Sequence, residues 1–220
     1  MSDNSDYWQK FWAEKSDPLT GGTAPDHDLL HGELRLILPK EFNSVIEIGC
    51  GSGDMYEPLG FNSRRYHGLD FSPAMIEAFN ARYPEAKVEV RDLRDFDGSE
   101  PVDLIFSHAV VQFISLADFA EQVARSARLL KPGGHIIHAS ALRKACRDAF
   151  LAGELLENME SPMKTLARRA MEKLGMRHTM GFWYDVAEVR GIAKKNGLKF
   201  QAFGSLFYPY RFHIVLQKPE

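Results

Sequence analysis

The stretch from Val45 to Tyr56, VIEIGCGSGDMY, constrains this chain more than any other. A short apolar, β-branched run bounded by glycine reads as a buried strand. Gly49, Gly51 and Gly53 follow it, and then an acid, Asp54. Glycine allows left-handed backbone and close approach of a ligand. In an open α/β sheet such a turn lies at the carboxyl end of a strand, where ligands bind. A phosphate loop of the form G-x-x-x-x-G-K-[ST] is excluded, because no lysine follows the glycines. The dinucleotide pattern G-x-G-x-x-G fails at its third glycine, which falls on Asp54. An Asp at the start of a following helix would repel a pyrophosphate placed there. The turn therefore suits a ligand with an amino group or another positive charge. Glu47 points the same way, since a carboxylate inside an apolar strand needs a partner.

The chain of 220 residues is long enough for a sizeable core and is expected to form one domain. Its net charge of -3 offers no bulk basic field to draw it to nucleic acid or anionic membrane. Cys50 and Cys146 are far apart, which fits neither a disulfide framework nor a zinc site and suits a reducing cytoplasm. The start, MSDNSDYWQKFW, lacks the basic-then-apolar pattern of a signal segment, and no run has the length of a membrane span.

Apolar runs alternate with helical patterns, which predicts an α/β fold with a largely parallel sheet and helices on both faces. Strands are expected at Ser44–Gly49, in RYHGLD to Asp70, in KVEVRD to Asp92, at Val102–His108 and at Gly134–Ser140. Ser72 should cap the helix after the second strand, with Pro73 at its first position and Pro84 as its stop. Ser115 and Asp118 have capping-box spacing, and Leu116, Phe119, Ala120, Val123, Ala127 and Leu130 form one apolar face. Pro132, Gly133 and Gly134 should end that helix. Asp185 and Glu188 give a second capping box, with Asn196 and Gly197 as the stop. The last two runs, LKFQAFGSLF and YRFHIVLQK, are joined too closely for a crossover helix, so they should pair antiparallel. The total is seven strands, Rossmann-like, with an antiparallel terminal hairpin. Residues 141–182 interrupt the rhythm as two expected helices, an insertion near the carboxyl end of a strand.

VIEIGCGSGDMY resembles the first motif of the class I S-adenosylmethionine-dependent methyltransferases. Four further stretches resemble the family's later blocks in order: HGLDFSPAMIEAF, VRDLRDF, DLIFSHAVVQFI and LLKPGGHIIHAS. FWYDVAEVRGIAKKNGLKF is similar to its last helix and sixth strand. The resemblance implies S-adenosyl-L-methionine as cofactor and S-adenosyl-L-homocysteine as product. Glu47, Gly49, Cys50, Gly51 and Gly53 are then expected around the methionine end. Asp70 would accept from both ribose hydroxyls, with Phe71 and Met75 in the same block. Asp92 and Leu93 would meet the adenine, and Ser107, His108 and Gln112 would face the reacting methyl group and the acceptor.

A sulfonium methyl needs little beyond alignment, and a base only where the acceptor is a hydroxyl or a protonated amine. His108 is the candidate base, while His135 and His138 lie on the fifth strand. DNA amine methylation is disfavoured because SHAV stands where that subgroup carries Asn/Asp-Pro-Pro-aromatic. The aromatic residues Tyr7, Trp8, Phe11 and Trp12 suit either a flap within residues 1–40 or a helix packed on the core. The 141–182 insertion carries eight basic residues against five acidic ones, an excess of +3. An anionic small-molecule acceptor would explain that excess, and so would a solvated helix face. The leading expectation is methyl transfer to oxygen or nitrogen of a small molecule. A modifier of tRNA, polysaccharide or protein, and a non-catalytic cofactor-binding module, are the other classes, with a nicotinamide-linked oxidoreductase more distant.

Overall fold

In a computed structural model of the chain, residues 27–95, 98, 100–155, 170 and 180–220 are described. The aromatic segment around Tyr7–Trp12 and the second expected insertion helix lie outside them. Seven strands form one sheet: β1 (Ser44–Ile48), β2 (Arg65–Asp70), β3 (Val88–Val90), β4 (Val102–His108), β5 (Leu130–Leu142), β6 (Lys199–Gly204) and β7 (Arg211–Gln217). Their spatial order is β3-β2-β1-β4-β5-β7-β6. The first five run parallel, and β7 is antiparallel to both β5 and β6. Strands β1, β4 and β5 are covered on both faces, and their side chains are mostly apolar, as buried parallel strands require.

Helices α1 (His27–Ile37) and α2 (Pro73–Arg82) cover one face through Leu30, Leu34, Ile76 and Phe79. Helices α3 (Leu116–Leu129) and α5 (Val186–Lys195) cover the other through Phe119, Val123, Val189 and Ile192. Each such side chain contributes about 1.5–3 kcal/mol by leaving water. A short helix, α4 (Arg147–Ala152), puts Phe150 and Leu151 into a smaller cluster with Leu142 and Tyr210. At the amino ends of the strands, Asp103 accepts from the Ser44 hydroxyl at 2.7 Å and from Lys131 Nζ at 2.7 Å, which ties β4 to β1 and β5.

The punctuation of the sequence explains most boundaries. Ser115 and Asp118 form the expected capping box at α3. Asp185 caps α5 by accepting from Ala187 N and Glu188 N. The reciprocal half of that box is not formed; Glu188 turns instead to Lys144, 3.7 Å away.

Four expectations are corrected. No α-helix starts at Asp54: residues 51–60 are consecutive turns ending in a 3-10 turn at Phe61–Ser63, because Gly60 is left-handed and Tyr56 is held among Tyr66, Phe79 and Tyr83. Leu130 belongs to β5 rather than to the helix face, since it pairs with Val102 before Lys131–Gly134 bulge out. At its other end β5 runs on to Leu142, because Ala141 and Leu142 pair with Phe212 and Arg211. That pairing delays the first insertion helix to Arg147, and left-handed Gly153 ends it. Strand β3 is cut to three residues, stopping before Asp92.

Candidate functional site

The glycine turn follows β1, bonds to the end of β2 and meets Val110 just beyond β4. Gly49 N and Cys50 N both donate to Leu69 O, at 2.7 and 3.0 Å, so the turn leans on β2. The three glycines have positive φ, yet each answers a different need. A Cβ on Gly49 would lie 2.2 Å from Val110 Cγ2, and one on Gly53 would lie 2.8 Å from the Tyr83 ring. Gly51 has no neighbour within 4 Å of that position. Gly49 and Gly53 therefore let the turn pack, and Gly51 faces open space where a ligand's backbone approach is free.

Asp70, at the tip of β2, braces this turn. Its Oδ2 accepts from Gly51 N at 3.0 Å and its Oδ1 from Ser72 N at 2.9 Å. Ser72, expected to cap α2 by its side chain, makes no such bond; its own backbone N is instead held by the Asp70 carboxylate. Burial pushes the Asp70 pKa up to about 6, against the two backbone N–H groups that favour its ionised form. A carboxylate has about four lone-pair sites, so acceptor capacity for a ligand's hydroxyls remains.

Glu47 is 1% exposed and accepts from the Tyr66 hydroxyl at 2.7 Å. It stands opposite Gly68 in the β1–β2 register, and a Cβ at 68 would lie 2.6 Å from the Tyr66 oxygen. Gly68 thus clears the path between phenol and carboxyl. Burial pushes the Glu47 pKa to about 8, with the Tyr66 bond opposing and the charges of Asp54 and Asp70 adding to the rise. Asp54 itself lies 3.7 Å from Arg82 Nη1. Cys50 is buried and its thiol pKa is raised well above the ordinary value, chiefly by burial, so it is no ready nucleophile. Met75 is buried in α2, and Phe71 is partly exposed between Asp70 and the helix.

The other expected residues divide by environment. Asp92 is gripped by Arg94, whose backbone N and Nε reach Oδ1 at 2.8 and 2.9 Å while Nη2 reaches Oδ2 at 2.6 Å. Leu93 packs against the core beside it. The Ser107 hydroxyl is buried in the sheet, 2.8 Å from His138 Nδ1. Burial lowers the His138 pKa to about 3 and keeps the ring neutral. His135 lies lower on β5, also shifted down by burial. His108 alternates with Ser107 and is partly exposed at the end of β4. Gln112 is buried; its backbone oxygen accepts from Phe182 N at 2.6 Å and its Oε1 from Arg211 Nη1 at 2.9 Å.

Among the described residues, two that are not glycine have left-handed backbone: Ala109, φ 54°, and Ser140, φ 60°. They follow the paired residues His108 and Ala139, and Ala109 N donates to Ala139 O. Such strain persists where surroundings enforce it, often at functional sites. At Ser140 it is β7 that does the enforcing. His213 Nδ1 accepts from Ser140 N at 3.2 Å, and Arg211 Nη1 donates to Ser140 O at 2.5 Å. Behind them, His213 Nε2 meets Glu33 Oε1 at 3.1 Å, and Glu33 also takes Leu206 N and the Ser205 hydroxyl. Glu33, Ser140, Arg211 and His213 escaped the reading of the sequence. The available signal was Arg211 and His213 at alternate positions, two polar side chains on one face of the apolar run RFHIVLQ.

A family model described as "Methyltransferase domain" matches residues 46–136. A dTDP-4-amino-2,3,4,6-tetradeoxy-D-glucose N,N-dimethyltransferase from Saccharopolyspora spinosa is 32% identical over 162 residues, 72% of this chain and 64% of that one. A trans-aconitate 2-methyltransferase from Methylobacterium nodulans is 33% identical over 149 residues, covering 67% and 50%. The chain thus spans between half and two thirds of the length of these relatives. The N-methyltransferase NodS from Bradyrhizobium japonicum, solved with S-adenosyl-L-homocysteine, superposes with a TM-score of 0.64 at 18% identity, covering 99% of this chain and 100% of that one. At that identity the likeness shows the fold alone. Matched motif region and sheet order agree: residues 46–136 match a methyltransferase-domain model, and the chain has the seven-stranded Rossmann-like fold of the class I S-adenosylmethionine-dependent methyltransferases.

Proposed function

We propose that this protein transfers a methyl group from S-adenosyl-L-methionine to an oxygen or nitrogen of a small-molecule acceptor. One observation carries the reading: Gly51 faces open space in a turn braced by the Asp70 carboxylate, with Asp54 at its end. Among the described residues no lysine or arginine bonds to the turn's backbone. That is a poor seat for phosphate and a good one for an ammonium and a sulfonium. The cofactor supplies the activated methyl group, and the residues fit it in order. Gly49, Cys50 and Gly51 would hold the methionine end. Asp70 would accept from the ribose hydroxyls, with Phe71 and Met75 alongside. Asp92 and Leu93 would border the adenine, and His108 would line the wall towards the acceptor, with Ser107 and Gln112 buried behind it.

The chain's task is alignment, keeping the acceptor lone pair behind the methyl carbon for in-line displacement. Such positioning is worth about 7–11 kcal/mol in favourable cases. His108, partly exposed beyond the sheet, is the residue we assign to hold a proton from a hydroxyl or ammonium acceptor. The relatives' small-molecule acceptors support the substrate class. The two unbridged cysteines support a cytoplasmic setting, and among the described residues no helix is long and apolar enough to cross a membrane.

The test measures S-adenosyl-L-homocysteine release across acceptor pools, with mass spectrometry of the product. Asp70→Ala should weaken cofactor binding about 10- to 100-fold, the worth of a hydrogen bond to a charged group. Unchanged affinity by calorimetry would remove Asp70 from the cofactor site.

A further inference from the structure

The sheet order separates two sides of the glycine turn. Asp70 ends β2 and Asp92 follows β3 on one side; Gln112 lies in the turn after β4, and Ser140 and Arg211 belong to β5 and β7, on the other. Arg211 dominates that second side. Its Nη1 is committed to Gln112 Oε1 and Ser140 O, so the guanidinium is held by the turn that follows β4 and by β5, beside the expected methyl position. Its central carbon lies 5.8 and 5.5 Å from the ring centres of Tyr208 and Tyr210. Tyr210 packs in turn on Phe150, with ring centres 4.6 Å apart.

Among the described residues, no carboxylate pairs with Arg211, and its Nε and Nη2 donate to nothing. Those two N–H groups form one straight edge of the guanidinium, the edge whose parallel donors match the two oxygens of a carboxylate. A half-buried cation without a counterion is costly, and a ligand's negative group would offset that cost. The backbone it holds is the strained Ser140, braced from its other side by His213. The fork is therefore pre-oriented before any ligand arrives.

We propose that Arg211 anchors the methyl acceptor and that the acceptor carries a carboxylate, received on the Nε–Nη2 edge with the Tyr208 and Tyr210 rings beside it. Gln112 is then a positioning residue that fixes the guanidinium through Oε1. The proposal rests on the methyltransferase reading and narrows its acceptor to carboxylated molecules. Its recognition element is also distinct from the basic residues of the 141–182 insertion, to which Arg211 does not belong.

Calorimetric titrations with benzoate, benzamide, trans-aconitate and inorganic phosphate, with and without S-adenosyl-L-homocysteine, test it. The wild-type protein should bind benzoate and trans-aconitate, with benzamide at least about tenfold weaker and phosphate weaker than benzoate. Arg211→Gln should abolish the benzoate–benzamide difference while homocysteine-cofactor affinity stays within about twofold. Arg211→Lys keeps a cation and a donor for Ser140 O but lacks the fork, so it should fold and still lose about tenfold in carboxylate preference. Equal binding of benzoate and benzamide, tighter binding of phosphate, or an unaltered Arg211→Lys would overturn the assignment. Absence of S-adenosyl-L-homocysteine binding would sink the methyltransferase reading instead, while the cofactor-free titrations still judge Arg211.

Discussion

The two sides of the carboxyl edge are built by opposite means. On the β1–β2 side the polar groups are satisfied over short distances in sequence: Asp70 holds Ser72 two residues on and Gly51 nineteen residues back. On the β5–β7 side the bonds span the whole chain, from Gln112 to Arg211 and from Glu33 to His213, 99 and 180 residues apart. The first side is a local device that any strand–turn–strand unit could carry. The second exists only once α1, β5 and β7 have met. A cofactor common to a family suits the first kind of construction, and an acceptor particular to one protein suits the second.

Substitutions can separate the two sides. The largest effect is expected at Gly49→Ala, where a Cβ at 2.2 Å from Val110 and a φ of 71° add overpacking to left-handed strain. We expect a loss of about 3 kcal/mol or more, with cofactor binding abolished, measured by thermal melts and calorimetry. Glu33→Ala orphans His213 Nε2, Leu206 N and the Ser205 hydroxyl. It should cost about 2–3 kcal/mol while the remaining folded protein keeps its cofactor affinity. If Glu33→Ala weakens cofactor binding as much as stability, the two sides are not independent.

Glu47 gives a smaller, pH-dependent effect. Its pKa is raised from 4.5 to about 8 in the folded state, so folding favours the protonated acid. The stability this gives is complete below pH 4.5 and is lost as pH rises to about 8. Asp70 acts with the same sign between its ordinary 3.8 and about 6. Melting temperature should therefore fall across this window in the wild type and fall less in Glu47→Gln, and parallel curves would refute the shift. The smallest effect is expected at Ser115→Ala, which removes the α3 capping box away from both networks and should cost about 1 kcal/mol without touching either ligand site.

The same contrast explains what was legible in the sequence. Gly49, Gly51, Gly53 and Asp70 announce themselves because turn chemistry is written in neighbouring residues. The Ser115 cap and the exact spans of β2 and β4 were readable for the same reason. Arg211 and Glu33 looked ordinary because their significance depends on partners between 71 and 180 residues away. The Asp54 helix failed for a related cause: Tyr56 is claimed by Tyr66 and Tyr83, which local helix signals cannot weigh. The extended β5 escaped notice because its last residues owe their conformation to β7.

The placement of β7 has a consequence for biosynthesis. Among the described residues β6 has no sheet neighbour except β7, and β7 comes after it in the chain. While the polypeptide emerges, β6 must wait unpaired and one edge of β5 stays bare until Arg211–Gln217 has appeared. The segment that completes the acceptor wall is thus also the one that seals an aggregation-prone edge. A nascent chain halted before Arg211 would present both defects together, and would need shelter from a chaperone until the strand was supplied.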